Sequence, residues 1–247
     1  MAGRRDIELP NLPVAILAGG LATRLRPATE KIPKGLLSVA GEPFIVHQLR
    51  LLNSQGFRTI VLCVGYLGEM IEATIGDGKQ LGLQIDYSFD GPTLLGTGGA
   101  LKRGISKLGE QFLVIYGDSY MPVDYAAVVE AFVLNEKPAL MTVFKNEGRW
   151  DASNIWFAAG KIRRYDKRLR TAEMRHIDYG IAVLNAGVFT SFPDNQPFDL
   201  ADVYSRLVSQ NQMVAYEVKQ RFYEIGSPEG LAELDALLRN QSAFCTS

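Results

Sequence analysis

The chain has 247 residues, of which 47% are hydrophobic and 21% are charged, and its formal net charge is −1. This composition predicts a globular protein and excludes a disordered chain, which would be poorer in apolar residues and richer in net charge. Two cysteines, Cys63 and Cys245, are too few for a disulfide framework or a zinc site. No apolar stretch approaches about 18 residues and the start lacks the apolar core of a secretory signal, so we expect a cytoplasmic protein.

The balanced charge also bears on the partners. A chain with 26 basic and 27 acidic residues has no overall charge that would attract nucleic acid or an anionic membrane. We therefore expect neither nucleic acid nor a membrane as a partner. Any anionic ligand has to be held by a local cluster of cations.

In the first 145 residues, short apolar runs alternate with amphipathic segments, which is typical of βαβ units and a mostly parallel sheet. A buried strand is predicted at 14–17 and is followed by Gly19 and Gly20. The further elements predicted in this part are a helix over 44–52, a strand at 59–64, a helix over 68–75, a strand at 83–87, a helix over 98–107 and a strand at 112–116. The last strand ends at Gly117 and Asp118, so an acidic side chain lies at the carboxyl edge of the sheet, where open α/β sheets bind ligands.

The second part of the sequence is less regular. The elements predicted there are a hairpin of strands at 155–157 and 161–165, a strand at 179–184, a helix over 202–208, a strand at 213–218 and a closing helix over 228–239. No internal repeat or linker-like run separates the two parts. We therefore predict a single α/β domain over 13–239, with an N-terminal extension at 1–12 and a frayed tail at 240–247.

Residues 17–27, together with Lys34, form the most informative stretch. A buried strand runs into two glycines, and their missing side chains let backbone N–H groups approach an anion closely. The spacing fits neither the G-x-G-x-x-G of a dinucleotide fold nor the G-x-x-x-x-G-K-[ST] of a P-loop. A double glycine after a strand is by itself most simply a tight turn, but the nearby Thr23, Arg24, Arg26 and Lys34 favour a phosphate site.

Residues 17–43, LAGGLATRLRPATEKIPKGLLSVAGEP, resemble the signature of the sugar-1-phosphate nucleotidyltransferases, commonly LAGGxGTRLxPxTxxxPKPLxPVxGxP. Further correspondences follow in the expected order at 95–99 (LGTGG), 117–118 (GD), 165–167 (YDK) and 224–229 (EIGSPE). The resemblance covers residues 13–238. It is greatest for the short bacterial branch that includes heptose-1-phosphate guanylyltransferases and related uridylyltransferases.

This resemblance implies a fold and a division of the domain. The fold is α/β, with a Rossmann-like, mostly parallel but mixed sheet flanked by helices, of the nucleotide-diphospho-sugar transferase type. A nucleotide-binding half is expected at 13–145 and a sugar-binding half at 146–239. The family's reaction joins an NTP and a sugar 1-phosphate to give an NDP-sugar and pyrophosphate.

Because the sugar phosphate oxygen is itself the nucleophile, the reaction requires positioning and electrostatic stabilisation rather than a nucleophilic side chain. By analogy with the family, Arg24 neutralises the triphosphate and the charge that develops at the α-phosphorus, and Lys34 bridges the phosphate region. These two residues are the predicted catalytic residues. The resemblance implies further nucleotide contacts from Leu17, Ala18, Gly19, Gly20, Thr23, Gly96, Thr97, Gly98 and Asp118.

The base and the sugar are less well defined by the sequence. Guanine is the base that the branch suggests, but Ser88, Asp90 and Gly91 occupy the stretch in which family members vary their base-reading groups, so uridylyl and cytidylyl transfer stay open. The resemblance assigns the sugar 1-phosphate to Asn154, Asp166, Lys167, Asp178 and Gly180, with Lys167 on the phosphate. The other basic residues of the run 161–175 are expected to be solvated surface. His47 and His176 are expected to be structural or surface residues.

Asp118 is the first candidate ligand for Mg²⁺, and Glu224 is the second. Mg²⁺ prefers carboxylate and phosphate oxygens, keeps several waters, and needs only one or two protein ligands. Asp118 follows a glycine at a strand end, where the family has its magnesium aspartate. The alternatives are a turn-capping role for Asp118 and a plain surface role for Glu224.

Four positions depart from the family pattern. Ala22 replaces a glycine, Gly35 a proline, Asp166 a glutamate and Glu224 an aspartate. Ala22 adds a methyl group where the backbone would approach phosphate, and it carries strain if the turn requires a positive φ. Because each substitution keeps the charge or the size class, we expect an active enzyme.

Two other classes of protein remain to be weighed. A catalytically silent homologue that binds nucleotide or nucleotide-sugar would be expected to lose Arg24, Lys34 or Asp118, and all three are present. A dinucleotide-dependent oxidoreductase is disfavoured by the missing fingerprint. The expected partners are an NTP and a sugar 1-phosphate, and the sequence leaves open whether the protein forms a homo-oligomer.

Overall fold

The computed structural model describes residues 12–21, 23–150 and 152–245, with side chains as far as residue 241. Its strands are β1 (Val14–Leu17), β2 (Ser38–Val39), β3 (Glu42–Pro43), β4 (Thr59–Val64), β5 (Gln84–Phe89), β6 (Gln111–Tyr116), β7 (Ser119–Tyr120), β8 (Ala139–Lys145), β9 (Ile155–Ala158), β10 (Lys161–Tyr165), β11 (His176–Asn185), β12 (Met213–Val218) and β13 (Tyr223–Glu224). Its α-helices are α1 (Phe44–Ser54), α2 (Gly68–Ile75), α3 (Gly96–Leu108), α4 (Tyr125–Val133), α5 (Leu200–Ser209) and α6 (Pro228–Cys245).

The large sheet is mixed, as predicted. Its strands follow the order β10-β9-β11-β6-β1-β4-β5, and β8 and β12 continue it from β11. β1 is parallel to both β4 and β6, and β4 is parallel to β5, because α1, α2 and α3 supply the crossovers that parallel strands require. β11 runs antiparallel to β6 and β8. The strand order reverses at β1, and such a switch point opens a crevice at the carboxyl ends of the strands.

Hydrophobic cores fill both faces of the sheet. In β6, Leu113 and Ile115 pack on one face and Phe112 and Val114 on the other, as the alternation of side chains along a strand requires. Cys63 is a buried core residue, as predicted, and burial raises the pKa of its thiol to about 12, so it stays protonated and unreactive at neutral pH. No helix in the part of the chain that the structure describes is both long and apolar enough to cross a bilayer.

The C-terminal helix α6 packs against two short antiparallel strand pairs, the β2–β3 hairpin and the pair of β7 with β13. Its Leu234 and Leu238 join a third hydrophobic cluster with residues of β2, β7 and the segment after β13. Asp235 accepts a hydrogen bond of 2.6 Å from the backbone N–H of Ala40, which lies in the left-handed region at φ 50°. This packing holds the segment after the β1 turn close to the carboxyl end of β6.

The structure corrects some predicted boundaries. α6 continues to Cys245, so the helix does not end at Arg239, and the segment 240–245 expected to fray is helical; it contains no glycine or proline that would stop a helix. The predicted extension 1–12 lies outside the described residues except for Leu12, which is buried. α4 and β8 were not predicted individually, because α4 is nearly all apolar and has no clear periodicity.

Candidate active site

A cavity of about 370 Å³ opens at the carboxyl ends of β1, β4 and β6. The predicted site residues that line it are Leu17, Ala18, Gly19, Gly20, Thr23, Arg24, Lys34, Gly96, Thr97 and Asp118. It is also lined by Gly35, Cys63, Asp90, Leu94, Ala100, Tyr116, Gly117 and Gly226. The fold therefore brings together three motifs that are far apart in the sequence.

The turn after β1 forms one wall of the cavity. The N–H of Ala18 donates to the carbonyl of Cys63 at 2.8 Å, which continues the β1–β4 pairing into the turn. A Cβ on Gly19 would lie 3.0 Å from the backbone nitrogen of Gly65, so a glycine is needed for this close approach, whereas Gly20 faces open space. The turn thus presents backbone to the cavity, as predicted. The question of strain at Ala22 lies outside the described residues.

Lys34 and Asp118 form an ion pair across the cavity. Lys34 Nζ lies 2.7 Å from Asp118 Oδ2, and the two side chains are 18% and 37% exposed. The other oxygen, Oδ1, accepts a hydrogen bond of 3.2 Å from the hydroxyl of Ser119, and the Asp118 carbonyl accepts one of 2.9 Å from the N–H of Ile225. A predicted catalytic cation and the predicted metal ligand therefore lie in direct contact.

Glu224 lies on the strand next to Asp118. β13 pairs antiparallel with β7, and Glu224 is opposite Ser119. Glu224 is exposed, and its carboxylate lies 3.5–3.6 Å from where a Cβ on Gly226 would be; Gly226 lines the cavity. The hydroxyl of Ser227 accepts a hydrogen bond of 3.1 Å from the N–H of Gly230 and caps α6, as predicted.

These carboxylates fit a magnesium ion in the kind of ligand they offer. Asp118 supplies hard carboxylate oxygens that are partly open to the cavity, and Glu224 stands one strand away. Over the described residues, no three or more His, Cys, Asp or Glu side chains converge on a point that could hold a metal. Mg²⁺ at this place would therefore take one or two protein ligands and complete its shell with phosphate oxygens and water. The metal roles of Asp118 and Glu224 stay predictions.

Asp90 follows β5 and also lines the cavity. It is buried, and its Oδ2 accepts a hydrogen bond of 3.1 Å from the N–H of Leu95. Arg103 donates to the Asp90 carbonyl at 2.8 Å. Burial raises the pKa of the Asp90 carboxyl, and the Leu95 hydrogen bond and the Arg103 charge oppose that rise. Asp90 thus places a carboxylate in the stretch where the base is expected.

The first residues of the helix α3 line the cavity, and the helix is anchored there to the second half of the domain. Thr97 donates from Oγ1 to Asp199 Oδ1 at 3.0 Å and accepts from the N–H of Leu200 at 2.8 Å. Lys167 Nζ lies 3.9 Å from the same Asp199 oxygen. Through this chain of contacts, the predicted sugar-phosphate cation Lys167 lies near the nucleotide-binding half. Gly98 is not among the described lining residues and is instead buried against Phe198.

Asp178 and its neighbours lie where β11 is irregular. The register between β11 and β8 shifts between Asp178 and Ala182, which turns the strand. Asn154 Oδ1 accepts from the N–H of Asp178 at 3.2 Å, and Asp178 Oδ1 accepts from the N–H of Gly180 at 3.0 Å. Burial raises the pKa of the Asp178 carboxyl to about 6, against the opposing effects of the Lys167 charge and the Gly180 N–H. The structure therefore brings Asn154, Asp178 and Gly180 together.

Asp166 has a different environment from the other predicted sugar residues. Its Oδ1 accepts from the N–H groups of Arg168 at 2.9 Å and Leu169 at 2.8 Å, and its Oδ2 accepts from Arg164 at 3.0 Å. The two backbone hydrogen bonds, followed by that from Arg164, lower the pKa of the Asp166 carboxyl to about 2. Asp166 thus shapes the loop that carries Lys167, and a sugar contact by Asp166 stays a prediction.

Neither histidine lines the described cavity. The His47 ring forms a hydrogen bond of 2.8 Å with the carbonyl of Val39, and the buried His176 places Nε2 at 3.2 Å from Glu217 Oε1. Both contacts join different structural elements, and a structural role for the two histidines stays a prediction.

Two residues of the site, Tyr116 and Asp199, were missed in the sequence. Tyr116 ends β6 immediately before Gly117, so its place at the carboxyl edge was available from the strand pattern. Asp199 is the N-cap of α5 and accepts from the N–H of Ala201 at 2.8 Å. Its capping position could be read from the sequence, but its contact with Thr97 depends on the tertiary structure.

The fold and this geometry define an α/β protein with a glycine turn after β1, a paired lysine and aspartate, and a cavity at the carboxyl edge of the sheet. Residues 14–153 match the Nucleotidyl transferase family model, and the chain belongs to this family. The resemblance identified in the sequence is confirmed at this level.

Several curated proteins are similar in sequence. The UTP--glucose-1-phosphate uridylyltransferase of Synechocystis sp. is 30% identical over 213 residues, covering 78% of this chain and 54% of that protein. The N-acetylmuramate alpha-1-phosphate uridylyltransferase of Neisseria meningitidis is 40% identical over 116 residues, 47% of this chain and 50% of that protein. The D-glycero-alpha-D-manno-heptose 1-phosphate guanylyltransferase of Aneurinibacillus thermoaerophilus is 29% identical over 223 residues, 87% of this chain and 93% of that protein. The matches span about half the length of the first two relatives.

A solved structure has the same fold. HddC from Yersinia pseudotuberculosis, crystallised with GMP-PN, superposes with a TM-score of 0.75 at 24% identity, covering 92% of this chain and 99% of that chain. At this identity the likeness establishes the fold, and it confirms the predicted mixed sheet flanked by helices.

Proposed function

We propose that the protein transfers a nucleotidyl group from an NTP to a sugar 1-phosphate, releasing pyrophosphate. The observation that carries the proposal is the separation of its cations. Arg24 and Lys34 line the cavity beside Asp118, while Lys167 lies beyond Thr97 and Asp199. Two anionic substrates that have to meet at one phosphorus need two such separate sites.

The residues of this chain supply orientation and charge. Arg24 receives the triphosphate and stabilises the charge that develops at the α-phosphorus, Lys34 bridges the phosphate region, and Lys167 holds the attacking sugar phosphate. Gly19 and Gly20 line the cavity, and without side chains there they leave room for the triphosphate to approach the backbone. Mg²⁺ held by Asp118, with Glu224 as the second candidate, would supply further neutralisation of phosphate charge.

We infer guanine as the base, and Asp90 supports it. A carboxylate accepts hydrogen bonds and cannot donate them when ionised. Guanine presents two adjacent donors on its Watson–Crick edge, whereas uracil presents one donor between two acceptors that a carboxylate would repel. Together with the similarity to a heptose 1-phosphate guanylyltransferase, this makes guanylyl transfer to a heptose 1-phosphate the specific proposal. Uridylyl or cytidylyl transfer to another sugar is the alternative, and a silent nucleotide-sugar-binding homologue is a further one.

The decisive experiment is a matrix of the common NTPs against a panel of sugar 1-phosphates, read by pyrophosphate release. We expect turnover with GTP and a requirement for a divalent cation, since both substrates carry phosphate. Full turnover in excess EDTA would contradict the metal role, and the absence of pyrophosphate release from every pair would contradict the activity. The proposal includes a cytoplasmic location, because the cytoplasm supplies both substrates.

Lys167 provides a second test of the proposed function. Lys167→Ala should raise KM for the sugar 1-phosphate by at least about 10-fold and leave KM for the NTP nearly unchanged, because the substrates use different cations. Lys167→Arg should restore little of the affinity for the sugar 1-phosphate, because a planar guanidinium does not replace a compact ammonium. The control is Arg168→Ala on the same loop, which should change neither constant. Equal effects of Lys167→Ala on both constants would assign Lys167 a structural role instead.

A further inference from the structure

The sugar side of the site carries an excess of negative charge. Asp178 and Asp199 both lie near Lys167, with Asp199 Oδ1 at 3.9 Å from Lys167 Nζ. The third acid of this region, Asp166, is already neutralised by Arg164. The ammonium of Lys167 therefore lies near two carboxylates. In the proposed function the same ammonium also has to bind the sugar phosphate.

Two tyrosine hydroxyls are buried in the same region. Those of Tyr116 and Tyr165 have no hydrogen-bond partner among the described residues. The charges of Asp178 and Asp199 act on both hydroxyls, and Tyr116 also lines the cavity. Tyr116 Cδ2 lies 3.4 Å from where a Cβ on Gly180 would be, two residues beyond Asp178. Burial foremost, and then these negative charges, raise the pKa of both hydroxyls well above the usual range, so both remain neutral groups that donate and accept.

An unpartnered buried hydroxyl is unfavourable, and a ligand that supplies a partner removes that cost. The hydroxyl groups of a sugar both donate and accept, so they suit a region that holds both a tyrosine hydroxyl and a carboxylate. A sugar carboxylate accepts only. It could bond to Tyr116, but it would face Asp178 and Asp199 after the phosphate has taken the nearby ammonium.

We propose that the substrate is a hydroxyl-rich sugar 1-phosphate without a carboxylate, that its ring hydroxyls are bound by Tyr116 and Asp178, and that the site rejects acidic sugars. This inference rests on the proposed function and, among the sugars left open there, excludes the acidic ones. It separates the chain from the Neisseria meningitidis relative, which is named for N-acetylmuramate, a sugar that bears a carboxylate.

The first test compares matched sugars that differ only at C6. Glucose 1-phosphate is paired with glucuronate 1-phosphate, and mannose 1-phosphate with mannuronate 1-phosphate. We expect kcat/KM of the wild-type protein to favour the hydroxymethyl sugar of a pair by on the order of 10²-fold, the scale of a like-charge contact in a desolvated site. Equal or better turnover of the acidic member would overturn the inference.

The second test uses two variants and a control. Tyr116→Phe should raise KM for the sugar 1-phosphate about 10-fold, leave KM for the NTP unchanged and keep the rejection of the acidic sugar. Asp178→Asn should narrow the preference for the neutral sugar by at least about 10-fold. The control is Asp194→Asn, which removes a carboxylate that pairs with Lys102 instead, and which should leave the preference unchanged.

If Asp178→Asn leaves the preference unchanged, as the control does, the inference is wrong even when the wild-type protein turns over sugar 1-phosphates. To separate this from failure of the proposed function, binding of each matched sugar 1-phosphate is measured by calorimetry on the same proteins. Preferential binding of the neutral sugar without pyrophosphate release would leave the inference standing and contradict the transfer activity. Equal binding of both members, or of neither, would overturn the inference directly.

Discussion

Arg24 and Lys34 line the same cavity but are held differently. Lys34 is largely buried and fixed by its contact of 2.7 Å with Asp118, whereas Arg24 is exposed on a short helical turn. A fixed ammonium suits a binding role that is the same throughout the reaction. Only a contact that strengthens as charge develops at the α-phosphorus raises kcat, so the role proposed for Arg24 predicts a loss of kcat when its side chain is removed.

We predict that Arg24→Ala lowers kcat at least about 10²-fold, the scale for losing one charge-stabilising group. The measurement is kcat at saturating NTP. Arg26→Ala is the matched control, because Arg26 is exposed on the same segment and is not among the residues that line the cavity. An unchanged kcat with only a raised KM would mean that Arg24 binds the substrate and the transition state equally.

Glu224 carries the second prediction at this scale. Its side chain is one methylene longer than the aspartate of the family pattern, and it stands opposite Ser119 on the neighbouring strand. If it is a ligand, Glu224→Gln should weaken the apparent affinity for Mg²⁺ about 10-fold or more and slow turnover, with the melting temperature unchanged. Glu229→Gln in the first turn of α6 is the control. If the Mg²⁺ titrations of Glu224→Gln and the wild-type protein superimpose, Glu224 is not a ligand, and Asp118 remains as the candidate protein ligand.

At the level of elements, the junction of α3 with the segment before α5 couples the two halves of the domain. The N–H of Gly98 donates to the carbonyl of Phe198 at 3.0 Å, and a Cβ on Gly98 would lie only 2.3 Å from the Phe198 ring. That ring is stacked on Phe192 at 4.9 Å. This tight contact fixes the start of α3 against the loop that leads to Asp199.

We predict that Gly98→Ala destabilises the protein by about 1–3 kcal/mol, the usual cost of overpacking. It should also raise KM for the NTP, because displacement of Phe198 moves the start of α3, where Gly96 and Thr97 line the cavity. Urea denaturation gives the free energy of unfolding. Gly20→Ala, where the structure has open space, serves as the control for stability. An unchanged midpoint of urea denaturation for Gly98→Ala would show that the Phe198 ring moves aside at no cost in stability.

How well the elements were predicted depends on local signals. β4, α2 and β12 agree with the predicted bounds, because their apolar runs have clear ends in the sequence. The end of α6 was wrong because a helix with no glycine or proline stop continues beyond its packed face. α4 was not predicted because an almost wholly apolar segment shows no periodicity.

Over the whole molecule, short sequence spans predict the nucleotide side of the site better than the sugar side. Arg24 and Lys34 lie within one motif, so local pattern was sufficient to propose them, and both line the cavity. Asp199 becomes a site residue only because α5 packs against the first half of the domain, whereas the place of Tyr116 at the end of β6 was available from the strand pattern. The charge balance around Asp178 likewise depends on three segments that no local pattern relates.

The last prediction concerns the pH dependence of folding. Burial raises the pKa of Asp178 to about 6 from an ordinary value of 3.8, although Lys167 and the Gly180 N–H oppose the rise. The folded protein therefore holds this proton more tightly than the unfolded chain. The resulting stabilisation is complete below about pH 4 and is lost as the pH rises through about 6, and after a discount for solvent screening it amounts to on the order of 1 kcal/mol.

Asp178→Asn removes this titration. The free energy of unfolding of the wild-type protein minus that of Asp178→Asn should thus fall between pH 4 and 6 and become level above about pH 7. Urea denaturation of both proteins at each pH gives the difference, in which the rise in pKa of the separate residue Asp90 cancels. Asp194→Asn, on the surface, is the control for loss of a carboxylate as such. A difference that stays constant with pH, or that grows as the pH rises, would mean that Asp178 is stabilised as a carboxylate in the folded protein, with Lys167 and Gly180 outweighing its burial.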